Sequence, residues 1–208
     1  MSNFIIVNDT INQIVDRELF LAYRVNIIGG DMTLTDAAFS EFRTKYNPPR
    51  PPRDGLVKNS GEVTQMSEAD GLCIWKDGAA AALSSQPSVP RIDDTMTVGL
   101  KLWAVRDENV VHADESCPFG RGLETGVIKH TNLTGGGSAY CAGELIFVAE
   151  STIIVNGFSG RYGPRTADEM KDVALAFQKS GYHVWSSGFD EEAGRPYPFI
   201  GVDPEWII

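Results

Sequence analysis

The chain has 208 residues, of which 42% are hydrophobic and 22% charged, with a formal net charge of −10 and an isoelectric point near 4.7. That length buries one sizeable core, or at most two small ones, and the composition excludes disorder over most of the chain. The acidic balance works against bulk binding of nucleic acid, whose affinity comes largely from neutralised phosphates, and leaves only a local basic cleft for such a role.

Residues 4–7 (FIIV) read as a short strand. The apolar run ends too soon for a signal-peptide core or a membrane span. Cytoplasmic synthesis without membrane contact is therefore expected, with delivery by a specialised secretion machine left open. In residues 10–20 the positions Ile11, Ile14, Val15 and Leu19 approximate helical spacing. The strongly apolar residues 19–28 then carry Arg24, whose place on an early strand also opens the ADP-ribosyltransferase pattern, where such an arginine binds NAD phosphates. An arginine paired to a surface carboxylate is the simpler account.

Residues 36–46 suit a helix with Ala37, Phe39 and Phe42 on its apolar side. The Pro-rich residues 47–55 (NPPRPPRDG) then stop regular structure, giving an extended loop that bears Arg50 and Arg53. A stiff loop lying across the domain is the favoured reading, and a recognition site for a protein partner is the alternative. Residues 71–75 read as a buried strand, 79–83 as a short helix, and 97–105 as a strand turning at 107–109 into 110–112. On that strand Leu102 and Ala104 share one face while Trp103 and Val105 share the other. Residues 117–122 are loop-like.

Residues 130–164 concentrate most of the chemistry. Residues 138–148 and 151–155 are strand-favouring runs separated by a tight turn, so a hairpin is expected. Strand alternation puts Glu144 with Tyr140, Ala142, Ile146 and Val148 among apolar neighbours, where a carboxylate needs a partner. Arg161 is placed to supply one. Gly135, Gly136 and Gly137 either form a hairpin or bulge cluster or expose successive N–H groups that cradle an anion. Beyond Pro164, Thr166 and Glu169 have capping-box spacing, and Met170, Val173, Ala174 and Phe177 fall at i, i+3, i+4 and i+7 before Gly181. A helix at 166–180 is expected, returning as a strand at 182–185. The acidic run 190–192 reads as a solvated turn, and the tail as a surface segment held by its aromatic residues.

His130-Thr131, the glycine turn, Ala142-Gly143-Glu144 and residues 159–164 (SGRYGP) resemble a module near the C-termini of bacterial polymorphic-toxin proteins and in plant IQ-motif calmodulin-binding proteins. There a His-Ser or His-Thr pair precedes a Gly-rich turn, an Ala-Gly-Glu strand and a Ser-Gly-His-Tyr-x-Pro corner. The likeness covers about a fifth of the chain, and Arg161 stands where histidine is usual, so no second imidazole is implied. The toxin setting implies an enzymatic effector; the plant setting implies a non-catalytic module.

These observations predict one α+β domain over residues 1–208, with a twisted, mainly antiparallel sheet and a few packed helices. The candidate site has His130 and Glu144 as acid–base groups. Arg161 would clamp phosphate with Thr131, Ser159, the three glycine N–H groups and Arg24 around it, and Tyr162 would stack on a base. The expected ligand is a small phosphate-bearing molecule such as a nucleotide, with NAD as a substrate rather than a required cofactor. The three cysteines, Cys73, Cys117 and Cys141, are odd in number and widely spaced, which favours a reducing compartment. With the histidines they form no short-spaced ligand pair, so no metal is expected. The alternative throughout is a structural Glu144–Arg161 pair, with Tyr162 filling a core corner and His130 on a carbonyl.

Overall fold

The structure, a computed structural model, describes residues 32–208 apart from Asp54, Leu56 and Asp94. The expected strand at 4–7, the helix at 10–20 and Arg24 lie outside the described residues. Residues 34–208 form one compact α+β unit.

Helix α1, Leu34–Lys45, begins where both carboxylate oxygens of Asp77 accept hydrogen bonds from the N–H groups of Leu34 (2.9 Å) and Thr35 (2.8 Å). It buries Ala38, Phe39 and Phe42, so the apolar stripe runs through Ala38, with Ala37 only half-buried. The Pro-rich loop follows as an extended segment and forms a two-way backbone bridge between Arg50 and Ala139. Its Arg50 guanidinium reaches the buried Glu169 carboxylate, so this loop is strapped to the domain.

The main sheet contains β1 (Cys73–Ile74), β2 (Lys101–Val105), β3 (Val110–Asp114), β4 (Cys141–Ala149), β5 (Thr152–Asn156), β6 (His183–Ser186) and β9 (Glu205–Trp206). Their spatial order is β1-β3-β2-β4-β5-β6-β9, with only β5 and β6 parallel. A separate hairpin joins β7 (Phe189–Asp190) to β8 (Arg195–Pro196), with the acidic run at its turn. The parallel pair arises because α4, Ala167–Lys179, carries the chain back over the sheet between β5 and β6. Thr166 caps α4 by accepting from the Glu169 N–H at 3.1 Å; the Glu169 carboxylate reaches back to the Arg165 N–H at 2.9 Å. Gly181, at φ +96°, ends it.

Strand alternation divides the core. Trp103, Val105, Leu145, Ile153, Val155 and Val184 face α1 and α4, meeting Phe39, Phe42, Val173 and Phe177. On the opposite face two apolar clusters form. One gathers Leu102, Ala104, Ala142, Leu133 and Tyr162, and the other Ile146, Ile154, Trp185 and Phe199. Along β4 the residue between Ala142 and Ile146 on this face is Glu144, and Asn156 stands directly opposite it on β5.

Several expectations are corrected. Residues 79–83 form no helix, because the Gly78 and Ala80 N–H groups bond the Ser180 and Gly181 carbonyls rather than carbonyls of a preceding turn. The strand expected at 71–75 is reduced to Cys73–Ile74, whose side chains are exposed while Leu72 and Trp75 go inward. The strand at 97–105 starts only at Lys101, since Met96–Gly99 is a turn of 3-10 helix. Residues Pro118–Arg121 form a short helix, α2, capped by the Cys117 sulfur.

Candidate functional site

His130 begins the five-residue helix α3, His130–Thr134. Asn132 fixes this helix with every polar atom of its side chain. Its Oδ1 accepts from the Lys129 N–H (2.8 Å), and its Nδ2 donates to the carbonyls of Gly61 and Thr64 (2.8 Å each). Gly135, at φ +60°, closes the helix in the left-handed conformation that favours glycine. The glycines do not cradle an anion: the N–H groups of Gly135 and Gly136 bond the Thr131 carbonyl, and that of Gly137 bonds the Thr134 carbonyl. They cap a helix, which consumes the donors an anion would need.

The helix aims the His130 ring at β4, where Nε2 lies 2.9 Å from the Gly143 carbonyl. A carbonyl only accepts, so Nε2 carries the proton. Burial lowers the pKa to about 4, opposed by that hydrogen bond, and the ring is neutral at pH 7 with its lone pair on Nδ1. A Cβ at Gly143 would stand 2.0 Å from the Asn156 carbonyl, so only glycine lets β4 and β5 close at this point.

Glu144 is half-buried, and its pKa is raised to about 7, first by burial and further by the Glu115 charge, with the Asn156 hydrogen bond acting the other way. Asn156 Nδ2 donates to Glu144 Oε2 at 2.9 Å, and Asn156 Oδ1 accepts from the N–H groups of Glu144 (3.1 Å) and Phe158 (3.0 Å). The Trp103 indole N–H donates to the Glu144 carbonyl from β2 at 3.0 Å. A carboxyl that is near half-ionised at neutral pH can both give and take a proton.

Arg161 does not reach Glu144. Its guanidinium pairs with Glu62, a carboxylate 2% exposed on the 3-10 turn Ser60–Val63. The correction is topological: β5 runs past Glu144 and delivers the corner 159–162 on the side of the 59–66 segment, so the carboxylate available there is Glu62. Tyr162 is 2% exposed and cannot stack on a base. Its hydroxyl donates to Gly137 O (2.8 Å) and sits 2.9 Å from Thr134 Oγ1, while its carbonyl accepts from Ala142. Ser159, also buried, accepts the Tyr162 N–H at 3.2 Å. Thr131 is fully buried, and its hydroxyl has no hydrogen-bond partner among the described residues.

The structure thus anchors the His130 ring at the carbonyl of Gly143, the residue before Glu144, without a hydrogen bond between the two side chains, and assigns Thr131, Ser159, Arg161, Tyr162 and the glycines to the corner that supports α3. Sequence reasoning missed Asn156. Its signal is the position one past the 151–155 run, which the hairpin register sets opposite Glu144. Glu62 has no comparable signal. A groove of about 120 Å³ lies elsewhere, between α1 and α4, floored by Ala38, Phe42, Leu175 and Ala176. Ion pairs Lys45–Asp172 and Lys179–Glu41, each 2.6 Å, link the two helices beside it. Among the described residues no group of three or more His, Cys, Asp or Glu side chains is placed to hold a metal ion, and no helix is long and apolar enough to cross a membrane. Comparisons with models of known protein families, with curated proteins and with solved structures return no match.

Proposed function

We propose that the chain is an effector-like enzyme that moves a proton at Glu144 on a nucleotide, NAD or another phosphate-bearing substrate. The observation that carries the reading is the Glu144 carboxyl itself, half-buried on a sheet face, held at one oxygen by Asn156, with a pKa near 7. His130 contributes a neutral imidazole anchored one residue away at Gly143. The substrate class and the delivery of a cytoplasmically made effector by a secretion machine rest on the resemblance of residues 130–164 to the toxin module. ADP-ribosyl transfer and phosphodiester cleavage both need a group that exchanges a proton.

A second reading is favoured by a specific observation: Arg161 and Tyr162, the groups meant for phosphate and base, are committed to Glu62 and Gly137. On this reading the module is a non-catalytic scaffold for a ligand or protein partner. Turnover of NAD and of RNA by the wild type and by Glu144→Gln separates the two. The enzyme reading expects turnover by the wild type and a loss of about 10²-fold or more in a variant that keeps its circular dichroism. Absence of turnover of either substrate by the wild type, or full activity in Glu144→Gln, favours the scaffold.

A further inference from the structure

Asn156 is fully buried at the end of β5, directly across from Glu144. Its amide orientation is fixed by chemistry. Two backbone N–H groups, of Glu144 and Phe158, converge on one side-chain atom, which must be the carbonyl oxygen Oδ1. Nδ2 is left to face the carboxyl and donates to Oε2 at 2.9 Å. The same side chain therefore holds Glu144 at its backbone and at one of its two oxygens, and it ties the exposed Phe158 segment to that pair.

We propose that Asn156 is the positioning residue of the Glu144 carboxyl, committing Oε2 and leaving Oε1 as the atom that exchanges the proton. This rests on the reading of Glu144 as a proton carrier, but its geometry does not depend on the substrate. The Nδ2 hydrogen bond stabilises the ionised carboxylate, and so opposes the burial and the Glu115 charge that favour the acid form. Other titratable groups around this strand are Cys141 on β4 itself, buried on the opposite face, Glu115, whose charge acts on the carboxyl, and His130, held at the Gly143 carbonyl from α3. Without the amide, Glu144 would remain protonated further into the alkaline range and act only as a donor.

The test uses the full chain. In the wild type, the Asn156 side-chain amide resonances are followed by NMR against pH beside the Glu144 carboxyl carbon. They are expected to move with the same midpoint as the carboxyl; an amide that stays flat while Glu144 titrates overturns the proposal. Asn156→Asp keeps an oxygen for the two backbone N–H groups but sets a second carboxylate against Oε2. Its Glu144 midpoint is expected to rise by about one pH unit or more, and an unchanged midpoint in the folded variant also overturns the proposal. If this variant does not fold, the wild-type amide titration decides alone. Should Glu144→Gln keep full turnover while the amide follows the carboxyl, the enzyme reading falls and the positioning role stands.

Discussion

Arg161 and Glu62, separated by 99 residues in the chain, form an ion pair in which the side chains are 12% and 3% exposed. The pair joins the 159–162 corner to the 3-10 turn Ser60–Val63, and that turn in turn holds α3 through Asn132. Removing Glu62 takes its ion-pair partner from a largely buried guanidinium, so Glu62→Ala should cost about 2 kcal/mol or more of stability. Replacing both by apolar residues of similar volume should recover most of that loss. Urea unfolding of the single and double variants checks this; a Glu62→Ala loss below about 1 kcal/mol would mean that the pair is exposed in solution.

Glu144 makes stability depend on pH in the opposite sense to an ordinary surface carboxylate. Its folded pKa, about 7, lies above the value of 4.5 for a free side chain, so the folded state holds a proton that the unfolded state has released. Its contribution is intact below pH 4.5 and is lost as pH rises to 7, amounting to about 2–3 kcal/mol. Glu144→Gln lacks this loss. The stability gap between variant and wild type should widen in favour of the variant from pH 4.5 to pH 7 in denaturant titrations. A gap that is constant with pH contradicts the assignment.

Two histidines act at the acid end. His130 and His112 both have pKa values lowered from 6.5 to about 4, chiefly by burial. His112 packs edge-on to Trp75 at 5.4 Å and beside Phe147, with Lys101 disfavouring and Asp114 favouring its charged form. The unfolded chain takes up protons from pH 6.5 downward while the folded one resists until pH 4, so each histidine withdraws about 2–3 kcal/mol across that window. His112→Phe should flatten the acid limb of the stability profile by the share of one histidine. An acid limb identical to the wild type contradicts it.

Gly78 and Gly181 approach back to back. The Gly78 N–H bonds the Ser180 carbonyl at 2.8 Å and the Ala80 N–H bonds the Gly181 carbonyl at 2.9 Å. A Cβ on Gly78 would lie 2.2 Å from Gly181 O, a contact with backbone that cannot swing away. Gly78→Ala should therefore destabilise by about 1–3 kcal/mol. It should also perturb the fluorescence of Trp75, whose indole N–H donates to Ser180 Oγ at 3.0 Å. Wild-type stability and fluorescence would show that the seam opens freely.

What sequence made legible is what periodicity and capping encode. Met170, Val173, Ala174 and Phe177 with Thr166 before them define α4, and two β-rich runs around a short turn define the β4–β5 hairpin. The isolation of Glu144 among apolar neighbours was equally readable from alternation, and its raised pKa follows from it. Partner choice was not readable. Glu144 and Arg161 carry complementary charges and lie close in sequence, yet Glu62 is the carboxylate that the fold brings to the corner, and Asn156 is the group that the hairpin register brings to Glu144. Gly135 was legible as a residue with an unusual backbone, but whether its N–H served a helix or a ligand depended on α3, five residues with too little periodicity to announce themselves. Likewise Arg50, in a Pro-rich loop suited to a partner, is occupied by Glu169 through a contact set by tertiary packing.

The most direct measurement is the titration of the Glu144 carboxyl carbon by NMR in the intact chain, assigned with Glu144→Gln. The structure predicts a midpoint near 7 for this carboxyl. A midpoint in the ordinary glutamate range, about 4–5, would contradict a carboxyl poised to give and take a proton at neutral pH.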